Sequence, residues 1–356
     1  MPELIGGVPG KNERPVSAAL TPNAQAANAA GTCKTSLRRV VSIFEEARQG
    51  RAPPMELVED TVDQLLASLD EDRDTLTGLV RLKAHSDYAC MHSVAVCTLM
   101  GVLGERLGFD RAQRRQAAMA GLLHDIGKVF TPPGILEKPG RLTSEEFIEV
   151  LAHPERGYRL LTTMSGVPEV VMDVAHHHHE RPDGNGYPHQ LSGSSLSALA
   201  RMGAVCDVYD AVTSNRPYKD GWDPADAMQR MLHWTRAGQF DTTLMAAFRD
   251  VMGTYPMGSL VRLRSQRLAV VSGQTVGRPS CPKVMAFYCV QSDRALVPEC
   301  LDLAATSQQD TIIGRESNAE WRFKDLDTVW AGDMAQELSA TASTKPSWPE
   351  GPMLRC

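Results

Sequence analysis

The stretch Leu122-Leu123-His124-Asp125-Ile126-Gly127-Lys128 sets an adjacent histidine and aspartate directly behind apolar residues. The spacing of the apolar residues predicts a buried helix over residues 111–130. An imidazole and a carboxylate are unstable in such a helix unless they are paired or bound to a metal ion. Because neighbouring helix positions diverge by about 100°, His124 and Asp125 can bind one metal ion or reach towards two. The alternative is a structural pair joined by a hydrogen bond.

Side chains that bind metals are concentrated on both sides of this stretch. Most of the ten histidines of the chain fall between residues 92 and 210, interleaved with aspartates. Imidazole and carboxylate groups together are typical ligands of transition metals. The clustering therefore favours a metal site. The histidines in this window are His92, His124, His153, His176, His177, His178, His179 and His189.

Two further segments add candidate site residues. Residues 178–188, HHERPDGNGYP, put two histidines at a predicted helix end and continue into a loop whose glycines permit close approach of a ligand. Asp207 and Asp210 lie three positions apart, and therefore on one face of an apolar helix. Residues 213–219, TSNRPYK, follow with cations that can hold a phosphate. Each segment also has a purely structural interpretation. Residues 178–188 would then be an ordinary helix end and turn with histidines on the surface. Asp207 and Asp210 would lie on a solvated helix face, and the cations of residues 213–219 would be surface charges.

The hydrophobic periodicity predicts a mainly α protein, a helical bundle with a small β-rich C-terminal appendage. β-branched residues are too sparse between the helices for a central sheet. After Tyr255-Pro256, short alternating runs separated by turn residues predict strands. Two helices are predicted between Ser36 and Leu69, around a Gly-x-x-Pro-Pro break, and further helices over 75–104, 111–130, 144–163, 167–179, 194–214, 224–236 and 241–252.

The same patterns divide the chain into five parts. Residues 1–33 lack apolar periodicity and are predicted to be a disordered tail. Residues 34–80 are N-terminal helices that can mediate dimerisation, and residues 81–255 form the helical domain that carries the candidate site residues. Residues 256–340 are the small β-rich region, and residues 341–356 a loose tail.

Charge and composition exclude several classes of protein. The 37 Lys and Arg against 43 Asp and Glu leave a formal charge of −6, which argues against a nucleic acid or an anionic membrane surface as partner. No apolar run reaches the roughly 18 residues that span a bilayer. The N-terminus has no basic segment followed by an apolar one, so a cytoplasmic location is expected. The 8 cysteines are widely spaced, which predicts reduced thiols without disulfides.

Taken together, the motifs resemble the HD-GYP family of bacterial cyclic dinucleotide phosphodiesterases, a branch of the HD phosphohydrolase superfamily. The resemblance runs from about Val58 to Met257. It implies an HD-type helical bundle that hydrolyses a phosphodiester with bound metal ions. The motifs that carry it are His92-Ser93, HDIGK at 124–128, PPGILEKPGRL at 132–142, His153-Pro154, HHERPDGNGYP at 178–188 and DVYDAVTSNRPYK at 207–219.

The resemblance also implies roles for individual residues. Asp125 would bridge two metal ions, and Asp125 and Lys128 would be the catalytic residues, with Lys128 on the substrate phosphate. Asp183 and Asp210 are candidates for orienting the ligating histidines. Tyr187, Arg216 and Lys219 match positions that help to hold the substrate. The implied metal ligands are His92, His124, Asp125, His153, His178, His179 and Asp207.

Metal count and metal identity follow from the same resemblance. Some members carry a glutamate four residues before the first ligand and bind a third metal ion, but Tyr88 stands at that position here. We therefore expect two divalent ions per chain. The family typically uses iron or manganese, with which imidazole and carboxylate ligands agree.

The expected reaction is hydrolysis of cyclic di-GMP to linear pGpG, which some family members cleave further to GMP. Two divalent ions would activate a water as hydroxide and neutralise charge on the phosphate. One alternative is hydrolysis of another nucleotide, such as cyclic GMP-AMP or a phosphomonoester. Another is a weakly active sensor or scaffold for a cyclic dinucleotide. The expected partners are cyclic di-GMP, a second copy of the chain and a diguanylate cyclase.

Overall fold

Helices form most of the protein, and an antiparallel sheet follows them towards the C-terminus. The computed structural model describes residues 14, 24–82, 88–136, 138, 140–214, 221–305 and 310–340. Within these, the helices are α1 (Ala24–Arg48), α2 (Met55–Glu71), α3 (Arg73–Leu79), α4 (Tyr88–Arg106), α5 (Arg111–Leu123), α6 (Pro133–Leu136), α7 (Ser144–Leu151), α8 (His153–Thr162), α9 (Glu169–His177), α10 (Ala198–Thr213), α11 (Pro224–Arg236), α12 (Thr242–Met252), α13 (Asn318–Trp321), α14 (Thr328–Ala331) and α15 (Asp333–Ala340). Short 3-10 helices cover Ile126–Phe130 and Gly193–Ser195, and the strands are β1 (Leu260–Leu263), β2 (Arg267–Gly273), β3 (Lys283–Cys289), β4 (Arg294–Asp302) and β5 (Ile312–Arg315).

Helix α4 lies at the centre of the helical part. Every residue from Cys90 to Gly104 is buried, because α4 is apolar on all sides and packs against α1, α2, α5, α10 and α12. By length and composition α4 would be able to cross a membrane, but 83% of its apolar window is buried inside the protein. Such burial is typical of the core helix of a globular domain.

The N-terminal helices belong to the same apolar core as the rest of the helical part. Val40 of α1 and Leu65 of α2 are fully buried in one cluster with α4 and α5. The predicted boundary between residues 80 and 81 therefore has no counterpart in the packing. The predicted tail over 1–33 is wrong from Ala24 onward, where α1 begins. Its alanines favour helix and are small enough to pack closely, so the stretch needs no periodic large side chains.

Two of the long predicted helices are divided. The segment predicted as one helix over 144–163 contains α7 and α8, which meet at Ala152. The segment predicted as one helix over 75–104 contains α3, which ends at Leu79, and α4, which begins at Tyr88. Residues 83–87 lie outside the described part of the chain. The sequence pattern did not show this second division, because buried apolar residues occur on both sides of it, Leu76 and Leu79 before it and Cys90 and Met91 after it.

The sheet has the strand order β4-β3-β2-β1-β5, and all its neighbouring strands are antiparallel. Strands β1 to β3 match the predicted alternating runs. The prediction did not single out β4, which lies at the sheet edge and contains Pro298. An edge strand tolerates proline because one side needs no ladder hydrogen bond. The predicted β-rich region also contains helices α13 to α15, and α15 returns to the helical core.

Polar contacts join the C-terminal region to the region around α3. The Asp74 carboxylate accepts a hydrogen bond from Gln274 N at 2.7 Å, and Arg81 pairs with Asp327 at 2.5 Å. The seven cysteines of the described residues are all free, as the sequence predicted.

The packing of α4 on α5 predicts the effect of a small substitution. A Cβ at Gly121 would lie 2.7 Å from Val96 O and 2.8 Å from Cys97 N, so Gly121→Ala forces the two helix backbones apart. We expect a loss of about 1–3 kcal/mol in the free energy of unfolding, measured by urea denaturation. The control is Gly31→Ala in α1, where no atom lies within 4 Å of the new Cβ. That variant should gain about 0.5–1 kcal/mol from helix propensity. Equal midpoints for the two variants would contradict the prediction.

Candidate metal centre

Helix ends and buried helix faces converge on one point in the helical part. The structure brings together all seven residues predicted as metal ligands. His92 comes from α4, Asp207 from α10 and His153 from the first residue of α8. His178 and His179 follow the last residue of α9. All seven are buried except His179, whose side chain is 20% exposed.

The His-Asp pair lies at the end of α5 rather than inside a longer helix. His124 is the C-terminal cap of α5, and Asp125 has φ −99° and ψ 9°, outside the helical region. The predicted continuous helix over 111–130 is therefore wrong. Leaving the helix at Asp125 brings both side chains towards the same point, although adjacent positions of a regular helix diverge by about 100°.

Two histidines face each other across the first half of the cluster. The Nε2 atoms of His92 and His124 lie 3.3 Å apart. Nδ1 of His92 is 2.6 Å from Asp210 Oδ2, and Nδ1 of His124 is 2.8 Å from Gly121 O. A neutral imidazole that donates from Nδ1 carries its lone pair on Nε2. The lone pairs of the two Nε2 atoms therefore face each other. Such lone pairs repel unless a cation lies between them, so the short distance is consistent with a bound metal ion.

The second half of the cluster repeats this arrangement. Nε2 of His153 and Nε2 of His178 also lie 3.3 Å apart. Their Nδ1 atoms contact backbone carbonyls, Val150 O at 2.7 Å and Val174 O at 3.1 Å. These carbonyls lie three or four residues earlier in the chain. Both carbonyls lie in the last turn of a helix, where they also accept a backbone N–H from the capping residue.

Asp125 lies between the two histidine pairs. Its Oδ2 is 3.4 Å from His92 Nε2 and 3.3 Å from His124 Nε2. Its Oδ1 is 3.2 Å from His153 Nε2 and 3.6 Å from His178 Nε2. Oδ1 is buried and has no hydrogen-bond partner among the described residues. A buried carboxylate oxygen requires a partner, and the donor set around it fits a metal ion.

Asp207 connects the first pair to His179. Its Oδ1 is 2.9 Å from His92 Nε2, and its Oδ2 is 3.7 Å from His179 Nδ1. The His179 ring stacks on Tyr187, with ring centroids 4.6 Å apart. Tyr187 therefore lies beside the cluster, and its role in holding the substrate stays a prediction. Two groups of described residues can hold a metal ion here: His92, His124 and Asp125, and Asp125, His153, His178 and His179.

The surroundings prepare these groups for metal binding. Burial raises the pKa of Asp125, but His124 and Lys128 outweigh burial and hold that pKa well below its usual range. Asp207 likewise has a low pKa, because His92 and His179 outweigh its burial. Burial lowers the pKa of His153 to about 4. Anionic carboxylates and neutral imidazoles are the protonation states that metals bind.

The pKa of His92 shifts in the opposite direction to those of His153 and His179. Burial lowers its pKa, but the carboxylates of Asp207 and Asp210 raise it more, so the net shift is upward. The two carboxylates therefore stabilise a positive charge at the His92 ring. A metal ion bound at Nε2 would supply that charge. Asp210 is buried and holds the opposite ring nitrogen, Nδ1.

The other predicted site residues have different positions. Lys128 Nζ is 2.5 Å from Asp125 Oδ2, and its side chain is 23% exposed. Asp183 is not placed against a ligating histidine, which is a correction to the predicted orienting role. Among the described residues its carboxylate contacts Arg181 at 2.5 Å and accepts from Asn185 N, because the loop turns back on itself there. Arg216 and Lys219 lie outside the described residues.

Sequence reasoning missed the role of Glu180. Its side chain is buried, with Oε1 accepting from His189 N at 2.5 Å and Oε2 from Leu191 N at 3.0 Å. Glu180 thereby fixes the end of the loop that carries Tyr187. The signal in the sequence was a carboxylate directly after the histidines and before a glycine-rich loop.

Comparison with known proteins places this fold and site among HD domains. The family model described as HD domain matches residues 68–244. That range contains every residue of the metal cluster. It also covers α4 to α11 and so the main part of the helical core.

Three relatives with assigned functions illustrate the similarity. A cyclic di-GMP phosphodiesterase of Pseudomonas aeruginosa is 46% identical over 305 residues, which cover 86% of this chain and 73% of that protein. The cyclic di-GMP phosphodiesterase response regulator RpfG of Xanthomonas campestris is 38% identical, over 50% of this chain and 48% of that protein. A 3'3'-cGAMP-specific phosphodiesterase of Vibrio cholerae is 35% identical, over 45% of this chain and 37% of that protein.

The similarity to the Pseudomonas protein extends well beyond the metal cluster, over most of both chains. The HD domain match and the segments HDIGK and HHERPDGNGYP agree with each other. The chain belongs to the HD-GYP family of HD-domain phosphohydrolases.

Proposed function

We propose that this protein is a cyclic di-GMP phosphodiesterase that works with two divalent metal ions. The observation that carries the proposal is the position of Asp125. Each of its carboxylate oxygens faces one pair of opposed imidazoles, and Oδ1 is buried without a hydrogen bond among the described residues. A carboxylate between two such pairs is suited to bridging two ions.

The ligands divide between two ion positions. His92 and His124, with Asp125 Oδ2 and Asp207 Oδ1, would hold one ion. His153 and His178, with Asp125 Oδ1, would hold the other, and His179 lies beside them. Iron or manganese suits this mixture of imidazoles and carboxylates. When bound, divalent ions lower the pKa of a water molecule and neutralise charge on phosphate oxygens.

Two side chains of the protein are placed to hold the substrate phosphate. Lys128 contacts Asp125, and its side chain is partly exposed to solvent. Its ammonium group can therefore pair with a phosphate oxygen of a substrate bound beside the cluster. Burial raises the pKa of Tyr187, so its hydroxyl stays protonated and can donate a hydrogen bond. Arg216 and Lys219 stay predicted substrate ligands.

We infer the substrate from the relatives that this chain resembles. The Pseudomonas relative, similar over most of its length, is named for cyclic di-GMP, which favours cyclic di-GMP here. The expected product is pGpG, and we propose that the same site can cleave it further to GMP. A Vibrio relative named for 3'3'-cGAMP makes that dinucleotide the second candidate substrate. The complete ligand set favours an enzyme over a sensor or scaffold.

Partners and location stay proposals. We propose a cytoplasmic enzyme, with a homodimer and a diguanylate cyclase as candidate partners. The apolar side chains Val40 and Ile43 of α1 are fully buried within the chain. A dimer formed through the N-terminal helices would therefore use their polar faces.

Removal of the ligands at the α5 end should abolish both metal binding and hydrolysis. We expect His124→Ala and Asp125→Asn to lose bound iron or manganese, since each removes a donor from a buried set. Cyclic di-GMP hydrolysis should then fall to background. The measurement is metal content per chain and product chromatography on anaerobically purified protein. The matched control is His233→Ala, which replaces an exposed histidine of α11.

Retention of metal and activity in both His124→Ala and Asp125→Asn would refute the assigned site. Full metal loading of the wild-type chain without cleavage of any cyclic dinucleotide would refute the enzyme and support the sensor. Faster cleavage of 3'3'-cGAMP than of cyclic di-GMP would replace the proposed substrate.

Replacement of the phosphate-binding cation should affect catalysis more than metal content. Lys128→Met is expected to lower kcat/KM for cyclic di-GMP by about 100-fold, the usual effect of losing one charged donor to a reacting oxygen. Lys138→Met is the control, because Lys138 pairs with Glu146 at 2.6 Å instead. An unchanged kcat/KM in Lys128→Met would remove Lys128 from the mechanism.

Asp210 should act through His92. Asp210→Asn keeps the shape of the side chain but removes the anionic acceptor for His92 Nδ1, and we expect metal affinity to fall by about 10- to 100-fold. Activity should recover at raised manganese concentration, since no metal ligand is lost. Asp250→Asn, on the surface of α12, is the control. The positioning role is wrong if the metal dissociation constants of the two variants are equal.

A further inference from the structure

A second group of histidines lies outside the metal cluster. His176, His177 and His189 each present one ring nitrogen, and the three nitrogens lie within 4.8 Å of one another. None of them is among the predicted metal ligands, and the proposed phosphodiesterase reaction does not use them. His189 is exposed, and His177 is half-buried, so solvent reaches this outer histidine cluster.

The three rings are packed as a group. His176 and His177 are stacked, with centroids 4.6 Å apart and an interplanar angle of 24°. The ring of His189 meets His176 edge-on at 4.7 Å and His177 at 5.5 Å. Two histidines thus come from the end of α9, and one comes from the loop after Tyr187.

Each of the two helical histidines contacts a carboxylate through one ring nitrogen. His176 Nε2 is 2.7 Å from Glu155 Oε2, and His177 Nδ1 is 2.8 Å from Asp173 Oδ1. In neutral rings these nitrogens donate to the carboxylates, which leaves the lone pairs on His176 Nδ1 and His177 Nε2. A carboxylate behind the histidine is the usual support of a metal-ligating imidazole.

The third histidine is positioned by its backbone. His189 N donates to Glu180 Oε1 at 2.5 Å, and Glu180 is buried. The loop therefore brings His189 to α9 without help from a metal ion. Its exposed side chain has room to adjust by the small movement that coordination requires.

We propose that His176, His177 and His189 form an outer site for a transition metal ion of the Zn²⁺ or Ni²⁺ type. Three imidazoles suit these ions, whereas Mg²⁺ and Ca²⁺ prefer oxygen ligands. A fourth position stays open to water, because the cluster is at the surface. An ion bound there would join the end of α9 to the loop that carries Tyr187, two residues before His189. The outer site is independent of the proposed hydrolysis of cyclic di-GMP.

The test counts zinc ions bound per chain. Untagged full-length protein is equilibrated with ZnCl₂, freed of unbound metal, and analysed for zinc. His177→Gln/His189→Gln should bind one zinc ion fewer than the wild-type chain, whereas the control His233→Gln should bind as many as the wild type. His124→Ala should lose zinc from the inner cluster and keep the outer ion. Circular dichroism melting confirms that each variant is folded.

A second measurement uses nickel alone. Untagged wild-type protein, His233→Gln and His124→Ala should be retained on immobilised Ni²⁺, while His177→Gln/His189→Gln should pass through. Equal zinc counts for the wild type and the double variant, or equal retention on nickel, would overturn the outer site. Neither result depends on whether cyclic di-GMP is hydrolysed, so failure of this inference and failure of the proposed function are distinguishable.

Discussion

The buried carboxylate of Asp125 is the constraint on which the site depends. An anionic group in an apolar core is stable only with several compensating partners. Here those partners are two pairs of imidazoles and the ammonium group of Lys128, and one carboxylate oxygen still has no hydrogen bond among the described residues. The surrounding helices are arranged so that their ends and buried faces supply the other residues of the cluster. The core around α4 holds these helices in fixed positions, which is why the cluster can be geometrically defined without a long loop.

Helix ends provide much of the orientation of the histidines. His124, His153 and His178 each contact a carbonyl three or four residues earlier through Nδ1, which leaves Nε2 facing the cluster. His92 lies inside a helix and lacks such a carbonyl, so Asp210 performs this task from α10. The same chemical need is therefore met in two ways, depending on where the histidine lies along its helix.

The four consecutive histidines at the end of α9 show how one segment can serve two sites. Each helical residue is rotated by about 100° from the one before it. His176 and His177, inside α9, face Glu155 and Asp173, whereas His178 and His179 follow the last residue of the helix and face the inner cluster. Glu180 follows directly and fixes the loop that brings Tyr187 to the inner cluster and His189 to the outer one.

The sequence by itself determined the helical character and the strands β1 to β3, and it indicated the seven residues that meet in the inner cluster, because apolar periodicity and the His and Asp motifs are local signals. It did not locate the end of α5 at Leu123 or the start of α1 at Ala24, since both depend on packing against other helices. Only the tertiary structure separated Asp210, which contacts His92, from Asp183, which contacts Arg181. Only the tertiary structure brought His189 to His176 and His177, because the approach of a loop to a helix depends on long-range contacts that no spacing along the chain records.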